Sequence, residues 1–124
     1  HIATASGIST EQLVRYYNEA EVAVVPSVYE GFGLPAGEAM ACGTALVSTT
    51  GGALPEVTGD AALQVPGRDA QALADGIDAL LSNAEQRRAL EVAGRERMEE
   101  LFCWSRAAQQ MLDYYEQVLR SENG

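Results

Sequence analysis

Two carboxylates, Glu30 and Glu38, flank a glycine-rich stretch and have seven residues between them. Gly31 and Gly33 follow the first carboxylate, and because they lack a Cβ, the backbone there can adopt a positive φ and let a ligand approach closely. Pro35 stands where the first residue of a helix is expected, a position at which a missing N–H costs nothing. The stretch therefore predicts a turn into a helix N-terminus, whose free N–H groups and positive dipole suit a phosphate or sugar oxygens.

Each carboxylate has a functional and a structural interpretation. At the edges of such a turn, carboxylates can accept hydrogen bonds from vicinal hydroxyls, as on a ribose or hexose ring. Alternatively, Glu38 pairs with the helix dipole from the first helical turn, which is worth about 0.3–1 kcal/mol, and Glu30 is a solvated loop acid. The spacing alone leaves both interpretations open.

The elements that must position this turn alternate between strands and helices. Short apolar segments predict strands at 2–5, 22–25, 45–48 and 62–65. Helices are predicted at 9–19, opened by a Ser-x-x-Gln capping box, at 36–42, and for a short turn at 53–57. This spacing is typical of βαβ units and predicts a Rossmann-like parallel sheet with flanking helices. Because segment 22–25 carries little polarity, we expect it to be buried on both faces.

Beyond residue 67 the pattern is helical. Asp69 is a predicted N-cap for a helix to about residue 81, and a second helix is predicted at 84–101, with Gly94 in close packing. Phe-Cys-Trp at 102–104 is expected to interrupt the helical segment before a last helix at 105–120. The apolar stripe of that helix is expected to be core: Ala108, Met111, Leu112, Tyr115, Val118 and Leu119.

The composition excludes several classes of function. The net charge is −10, and the eight basic residues include no lysine, which excludes nucleic-acid binding through a basic surface. Cys42 and Cys103 lie far apart without a CxxC motif. That arrangement argues against zinc and predicts buried, reduced thiols in a cytoplasmic protein. No apolar run reaches the roughly 18 residues of a membrane span.

The segment from Pro26 to Val57, PSVYEGFGLPAGEAMACGTALVSTTGGALPEV, resembles the signature of the retaining glycosyltransferases of family 4, which have the GT-B fold. That signature begins with a strand followed by PS and EGFGLP, with a second Glu eight positions after the first. It continues with AMACG, a further strand and GGxPE. The helix at 9–17 and the aromatic residues at 102–104 and 114–115 also match. Where the family often has Pro after Gly43, this chain has Thr44, which changes a turn and no implied ligand contact.

The resemblance implies a role for each residue of the central stretch. Glu30 would contact the donor-sugar hydroxyls as the residue closest to the chemistry, and Glu38 would bind the ribose hydroxyls. Backbone N–H groups would meet the sugar and the diphosphate at Gly31, Phe32, Gly33 and Leu34. For Gly51, Gly52 and Glu56, which form a second loop, a tight structural turn is favoured. The donor would be a nucleoside diphosphate sugar, with no metal or other cofactor.

The resemblance also predicts what this chain lacks. Residues 1–124 would be the C-terminal part of a nucleotide-sugar-binding domain, with the acceptor domain, its catalytic His and the basic diphosphate ligands upstream of His1. The chain alone is then expected not to turn over. A non-catalytic nucleotide-sugar-binding or interaction module is the main alternative. A sugar-nucleotide epimerase is a further alternative, against which GFGLP and AMACG argue. The sugar, base, acceptor and oligomeric state stay open.

Overall fold

The structure, a computed structural model, describes residues 4–123 and the side chains of 4–101 and 108–121. Strands and helices alternate along these residues until a helical C-terminal part follows. The strands are β1 (Val22–Val25), β2 (Ala45–Thr49) and β3 (Leu63–Val65). The helices are α1 (Thr10–Glu19), α2 (Leu34–Ala41), α3 (Leu54–Thr58), α4 (Ala70–Ser82) and α5 (Ala84–Asn123).

The three strands form one parallel sheet in the order β1-β2-β3. The register pairs Val22 with Ala45 and Val47 with Leu63. Because all pairs are parallel, the carboxyl ends of the strands meet at one edge of the sheet. The predicted α/β class, with a parallel sheet and flanking helices, is therefore confirmed.

Strand β2 is the centre of the core, since each of its five residues is buried. Side chains alternate along a strand, so Leu46 packs with Met40 of α2 and Leu54 of α3 on one face. On the other face Val47 packs with Leu80 of α4. Helices thus cover both faces of the sheet, which is why β2 begins with the apolar residues 45–47. The hydroxyls of its buried Ser48 and Thr49 donate to main-chain carbonyls.

Local capping signals set where several helices begin. Ser9 and Gln12 form the predicted capping box of α1, and the carboxylate of Asp69 accepts the Ala72 N–H at 2.9 Å at the start of α4.

Thr44 is buried, and its hydroxyl donates to the Tyr17 carbonyl at 2.6 Å, which docks α1 against the chain between α2 and β2. The threonine thus has a structural role at this turn.

Helix α5 departs most from expectation. It runs unbroken for 40 residues, so the predicted interruption at 102–104 is wrong; that segment contains neither Gly nor Pro to break a helix. Gly94 is packed as predicted, since a Cβ there would lie 3.4 Å from Met40. The stripe beyond it was expected to be core and is exposed: Ala108, Met111, Leu112, Tyr115, Val118 and Leu119.

Two strand predictions also need correction. Val24 is 37% exposed because β1 stands at the edge of the sheet, so burial on both faces holds for β2 and not for β1. Part of the predicted strand at 2–5 lies outside the described residues, and Thr4 and Ala5 are not in a strand. In α4, the i, i+4, i+7, i+8 spacing of Leu73, Ile77, Leu80 and Leu81 predicts a buried stripe, but Leu81 is exposed.

Candidate functional site

Glu30 lies in the loop between β1 and α2 and is held through both its side chain and its backbone. Its Oε2 accepts a hydrogen bond from the Ser27 hydroxyl at 3.2 Å. Its main-chain carbonyl accepts the N–H of Ala53 at 2.8 Å. The side chain is half-buried, so the carboxylate keeps a face on solvent and lone pairs for further donors.

The β2–α3 loop packs against the backbone of the Glu30 loop. A Cβ on Gly51 would collide with the Val28 carbonyl, and one on Gly52 would collide with the Glu30 carbonyl. Gly52 also has a φ of +55°, a conformation that L residues rarely adopt. The structural interpretation of these two glycines therefore agrees with their contacts, and Glu56 in the same segment is exposed.

Gly33 ends the loop and is the N-cap of α2, in the left-handed region with a φ of +69°. A Cβ there would lie 2.7 Å from Val57 Cγ2 of α3. The first helical hydrogen bond of α2 runs from the Gly37 N–H to the Gly33 carbonyl at 3.0 Å. The N–H groups of Leu34 and Ala36 precede that bond, so the helix itself provides them with no acceptor.

The helix begins two residues earlier than the sequence predicts. Leu34 is its first residue and Pro35 its second, because Gly33 supplies the left-handed N-cap. Glu38 consequently lies in the second turn, where the sequence placed it in the first. Since the dipole effect fades beyond the first turn, a dipole role explains Glu38 poorly.

The surface around the turn is open and apolar. Phe32 is 82% exposed and Leu34 is 65% exposed. Gly31 is exposed as well, with no atom within 4 Å of a Cβ built on it. The resemblance implies only a backbone role for Phe32 and leaves its side chain to packing or to ligand contact; since the side chain is this exposed, it is not packed among the described residues. The Phe32 side chain is therefore available for contact with a ligand or with another part of a longer protein.

Glu38 faces the opposite flank of α2, toward α1. It borders a cavity of about 230 Å³ lined by Thr10, Leu13, Val14, Tyr17, Glu38, Ala41 and Cys42. Burial, followed by the negative charge of Glu38, raises the pKa of the Tyr17 hydroxyl. The same two causes raise the pKa of the Cys42 thiol. Both groups are therefore neutral at pH 7, and Glu38 supplies the charge of this cavity.

A second cavity, of about 320 Å³, opens at the carboxyl ends of the three strands. Its walls are Pro26, Val28, Thr49, Pro66, Arg68, Asp69, Ala70 and Leu73. Open α/β sheets bind ligands at this edge. Arg68 has a φ of +59°, and the sequence analysis assigned it no role at the site. The signal that could have found it is its place directly after β3, since parallel strands deliver their following residues to one edge.

The structure thus divides the predicted residues into two groups. Glu30, Gly31, Phe32, Gly33 and Leu34 form one continuous turn, which the β2–α3 loop holds, whereas Glu38 borders the α1–α2 cavity. Within residues 4–123 no group of three or more His, Cys, Asp or Glu is arranged to hold a metal ion. No helix among those residues is long and apolar enough to cross a membrane.

Comparison with known proteins adds sequence and structural relatives. The family model for glycosyl transferases group 1 matches residues 1–97. The chain is 42% identical over 121 residues to the MMP alpha-(1->4)-mannosyltransferase of Mycolicibacterium hassiacum, an alignment that covers 95% of this chain and 29% of that protein. It is 36% identical to the alpha-maltose-1-phosphate synthase of Mycolicibacterium smegmatis, over 90% of this chain and 31% of that one.

A solved structure of sucrose-phosphate synthase from Thermosynechococcus elongatus superposes with a TM-score of 0.80 at 42% identity, over 94% of this chain and 30% of that one. The C-terminal domain of a glycosyl transferase group 1 family protein from Francisella tularensis superposes with a TM-score of 0.70 at 30% identity, over 82% of this chain and 52% of that one. The chain therefore spans 29% and 31% of the length of the two curated relatives above.

Proposed function

The chain belongs to the glycosyl transferases group 1 family, and from this premise we propose that it is the donor-binding portion of a retaining glycosyltransferase. The complete enzyme would move a hexose from a nucleoside diphosphate sugar to an acceptor hydroxyl. Residues 1–124 would form the C-terminal part of its nucleotide-sugar-binding domain. The observation that carries this proposal is the turn at 30–34, fixed at a helix N-terminus with a carboxylate at its edge.

Glu30 binds the donor sugar in this proposal. Its carboxylate uses one acceptor position on the Ser27 hydroxyl, which leaves further positions for sugar hydroxyls. Its backbone is tied to Ala53 by a bond of 2.8 Å, so the carboxylate is placed before the ligand arrives. Such fixed placement of a reacting sugar is a main source of rate acceleration when no covalent group is supplied by the protein.

The diphosphate lies against the turn and the start of α2. The N–H groups of Leu34 and Ala36 have no acceptor within the helix. Together with the positive end of the eight-residue helix, they form this chain's part of a site for phosphate oxygens, to which the basic ligands expected upstream of His1 would add. As the sugar departs, negative charge grows on the leaving phosphate, and these fixed donors stabilise it.

Glu38 binds the ribose, and the cavity beside it receives part of the nucleoside. Its carboxylate is exposed in the second turn of α2, where two ribose hydroxyls could donate to it. The neighbouring wall is apolar and comes from α1, with Leu13 and Val14. An apolar wall beside a single carboxylate suits a flat base joined to a ribose.

The remaining features of the proposal follow the sequence analysis. The enzyme is cytoplasmic, requires no metal or cofactor, and takes an acceptor that a domain outside this chain recognises. Transfer retains the anomeric configuration and relies on orientation and phosphate stabilisation. Residues 1–124 alone are expected to have no turnover, because the opposite wall of the cleft is supplied elsewhere in the enzyme.

The test is donor binding and turnover by the complete enzyme. UDP-glucose, GDP-mannose and ADP-glucose are each titrated by calorimetry. Release of the free diphosphate is then followed with time in the presence of candidate hydroxyl acceptors, to which the sugar passes. We expect one donor to bind and to be consumed by the complete enzyme and not by residues 1–124 alone. Failure of all three donors to bind would contradict the proposal, and binding without any release would favour a non-catalytic module.

A further inference from the structure

Arg97 of α5 makes two hydrogen bonds to the end of a helix 40 residues earlier in the chain. Its Nε donates to the Val57 carbonyl at 2.6 Å, and its Nη2 donates to the Glu56 carbonyl at 2.6 Å. Both carbonyls belong to the last turn of α3, where carbonyl oxygens have no donors within the helix. The guanidinium also meets the negative end of the helix dipole. Arg97 therefore ties α3 to α5.

Gly59 makes room for this guanidinium. It follows α3 with a φ of +50°, and a Cβ there would lie 2.7 Å from the Arg97 Cζ. A side chain at 59 would thus push the guanidinium off the two carbonyls. The C-terminal end of α3 is shaped around Arg97, and no residue of the proposed ligand turn takes part in this contact.

Helix α3 in turn touches both ends of the ligand turn. At one end the Ala53 N–H, just before α3, donates to the Glu30 carbonyl at 2.8 Å. At the other end Val57 packs on Gly33, with its Cγ2 2.7 Å from where a Cβ would lie. Because Val57 also carries the carbonyl that Arg97 binds, a shift of α3 would displace the two ends of the turn together.

We propose that Arg97 is a positioning residue for the donor site: it fixes α3, and α3 fixes the Glu30 carboxylate and the Gly33 turn. The inference rests on the proposed function of that turn. It is specific to the sugar and diphosphate, since the cavity beside Glu38 is lined by residues of α1, of α2 and by Cys42. Arg97 touches no substrate and acts only through α3.

The experiment compares ligands that use different parts of the site. In the complete enzyme, Arg97→Gln replaces the guanidinium with a shorter, uncharged amide side chain. We expect the affinity for the donor sugar nucleotide to fall about tenfold, equivalent to ~1.4 kcal/mol. Affinity for the matching nucleoside monophosphate, which keeps the base and ribose but lacks the sugar and the second phosphate, is expected to stay within about twofold, or ~0.4 kcal/mol. Calorimetry with UDP-glucose and UMP, or the GDP or ADP counterparts, measures both.

Two further variants separate positioning from general stability. Arg97→Lys keeps a charged donor and is expected to recover part of the sugar-nucleotide affinity. Arg95→Gln is the matched control: its guanidinium lies on the same helix but against Gly43, after α2. We expect Arg95→Gln to keep the affinities for the sugar nucleotide and for the monophosphate, even if thermal unfolding shows that it lowers Tm as much as Arg97→Gln does.

The outcomes distinguish this inference from the function on which it rests. If the wild-type enzyme binds no sugar nucleotide, the proposed function fails and this inference fails with it. If the wild type binds normally and Arg97→Gln weakens the sugar nucleotide and the monophosphate by the same factor, Arg97 serves the fold alone. Unchanged affinity for both ligands in Arg97→Gln would also overturn the positioning role.

Discussion

The two carboxylates of this chain are held in different ways, although only seven residues separate them. Glu30 sits on irregular backbone: its carboxylate accepts from the nearby Ser27, and its main chain is fixed by distant parts of the chain, the β2–α3 loop and, through α3, Arg97. Glu38 sits on a regular helix and faces a cavity shared with α1. The geometry at Glu30 therefore depends on tertiary structure, whereas the geometry at Glu38 depends on α2 and its immediate neighbour.

This difference suits the jobs that we propose for the two residues. Rigid placement matters where bonds form and break, because small displacements there cost large factors in rate. A residue that binds ribose contributes to affinity in the ground state and the transition state alike, so it needs less exact placement. The following predictions test whether the contrast holds.

The largest effect is expected at Glu30 itself. Glu30→Ala in the complete enzyme should lower kcat by about 100-fold, because the sugar loses a fixed hydrogen-bond acceptor in the transition state. Affinity for the nucleoside diphosphate should change little, since the sugar is absent from that ligand. Steady-state kinetics with the cognate donor measures the effect. A drop in diphosphate affinity with unchanged kcat would assign Glu30 to the nucleotide side.

A stability effect should follow from the support beneath Glu30. Gly52→Ala brings a Cβ against the Glu30 carbonyl at a φ of +55°, and we expect a loss of about 2–3 kcal/mol in the free energy of unfolding. Gly67→Ala is the control, since nothing lies within 4 Å of its Cβ; it should change that free energy by less than about 0.5 kcal/mol. Urea unfolding of both variants measures the difference, and equal losses would show that Gly52 does not brace the Glu30 loop.

The smallest effect concerns Cys42 on the Glu38 side. Because burial and the Glu38 charge raise the pKa of this thiol, less of it is thiolate at a given pH. Removing the charge in Glu38→Gln lowers the pKa, so alkylation by iodoacetamide at pH 8 should become faster. Peptide-resolved mass spectrometry follows Cys42 separately from Cys103. Glu30→Gln serves as the control and should leave the alkylation rate of Cys42 unchanged. An alkylation rate in Glu38→Gln equal to that of the wild type would show that the Glu38 charge does not raise the pKa of this thiol.

How far the sequence predicts the molecule depends on whether a signal is local. The capping box at Ser9 and the cap at Asp69 are encoded within four residues, and both are found. The start of α2 was misplaced because Gly33 looks like part of a flexible turn, yet Val57 and the left-handed φ make it an N-cap. That error placed Glu38 in the first turn of α2, whereas it lies in the second.

Features that depend on distant contacts were not predictable. Arg97 looks like one arginine among several on a helix, and only the fold brings it to the carbonyls at the end of α3. Arg68 differs from Arg97, because it follows a predicted strand and the predicted parallel sheet already delivers it to the edge where the second cavity opens. The exposed stripe on α5 has the pattern of a core helix, and amphipathicity alone does not say whether a partner for that face lies within the same residues.

The central claim is that the two carboxylates have separate jobs, and calorimetry with a nucleoside diphosphate tests it most directly. The complete enzyme and its Glu38→Ala and Glu30→Ala variants are each titrated with the nucleoside diphosphate of the donor. The account predicts that Glu38→Ala weakens binding about tenfold, or ~1.4 kcal/mol, while Glu30→Ala binds as the wild type does. Unchanged affinity in Glu38→Ala, or equal losses in the two variants, would contradict it.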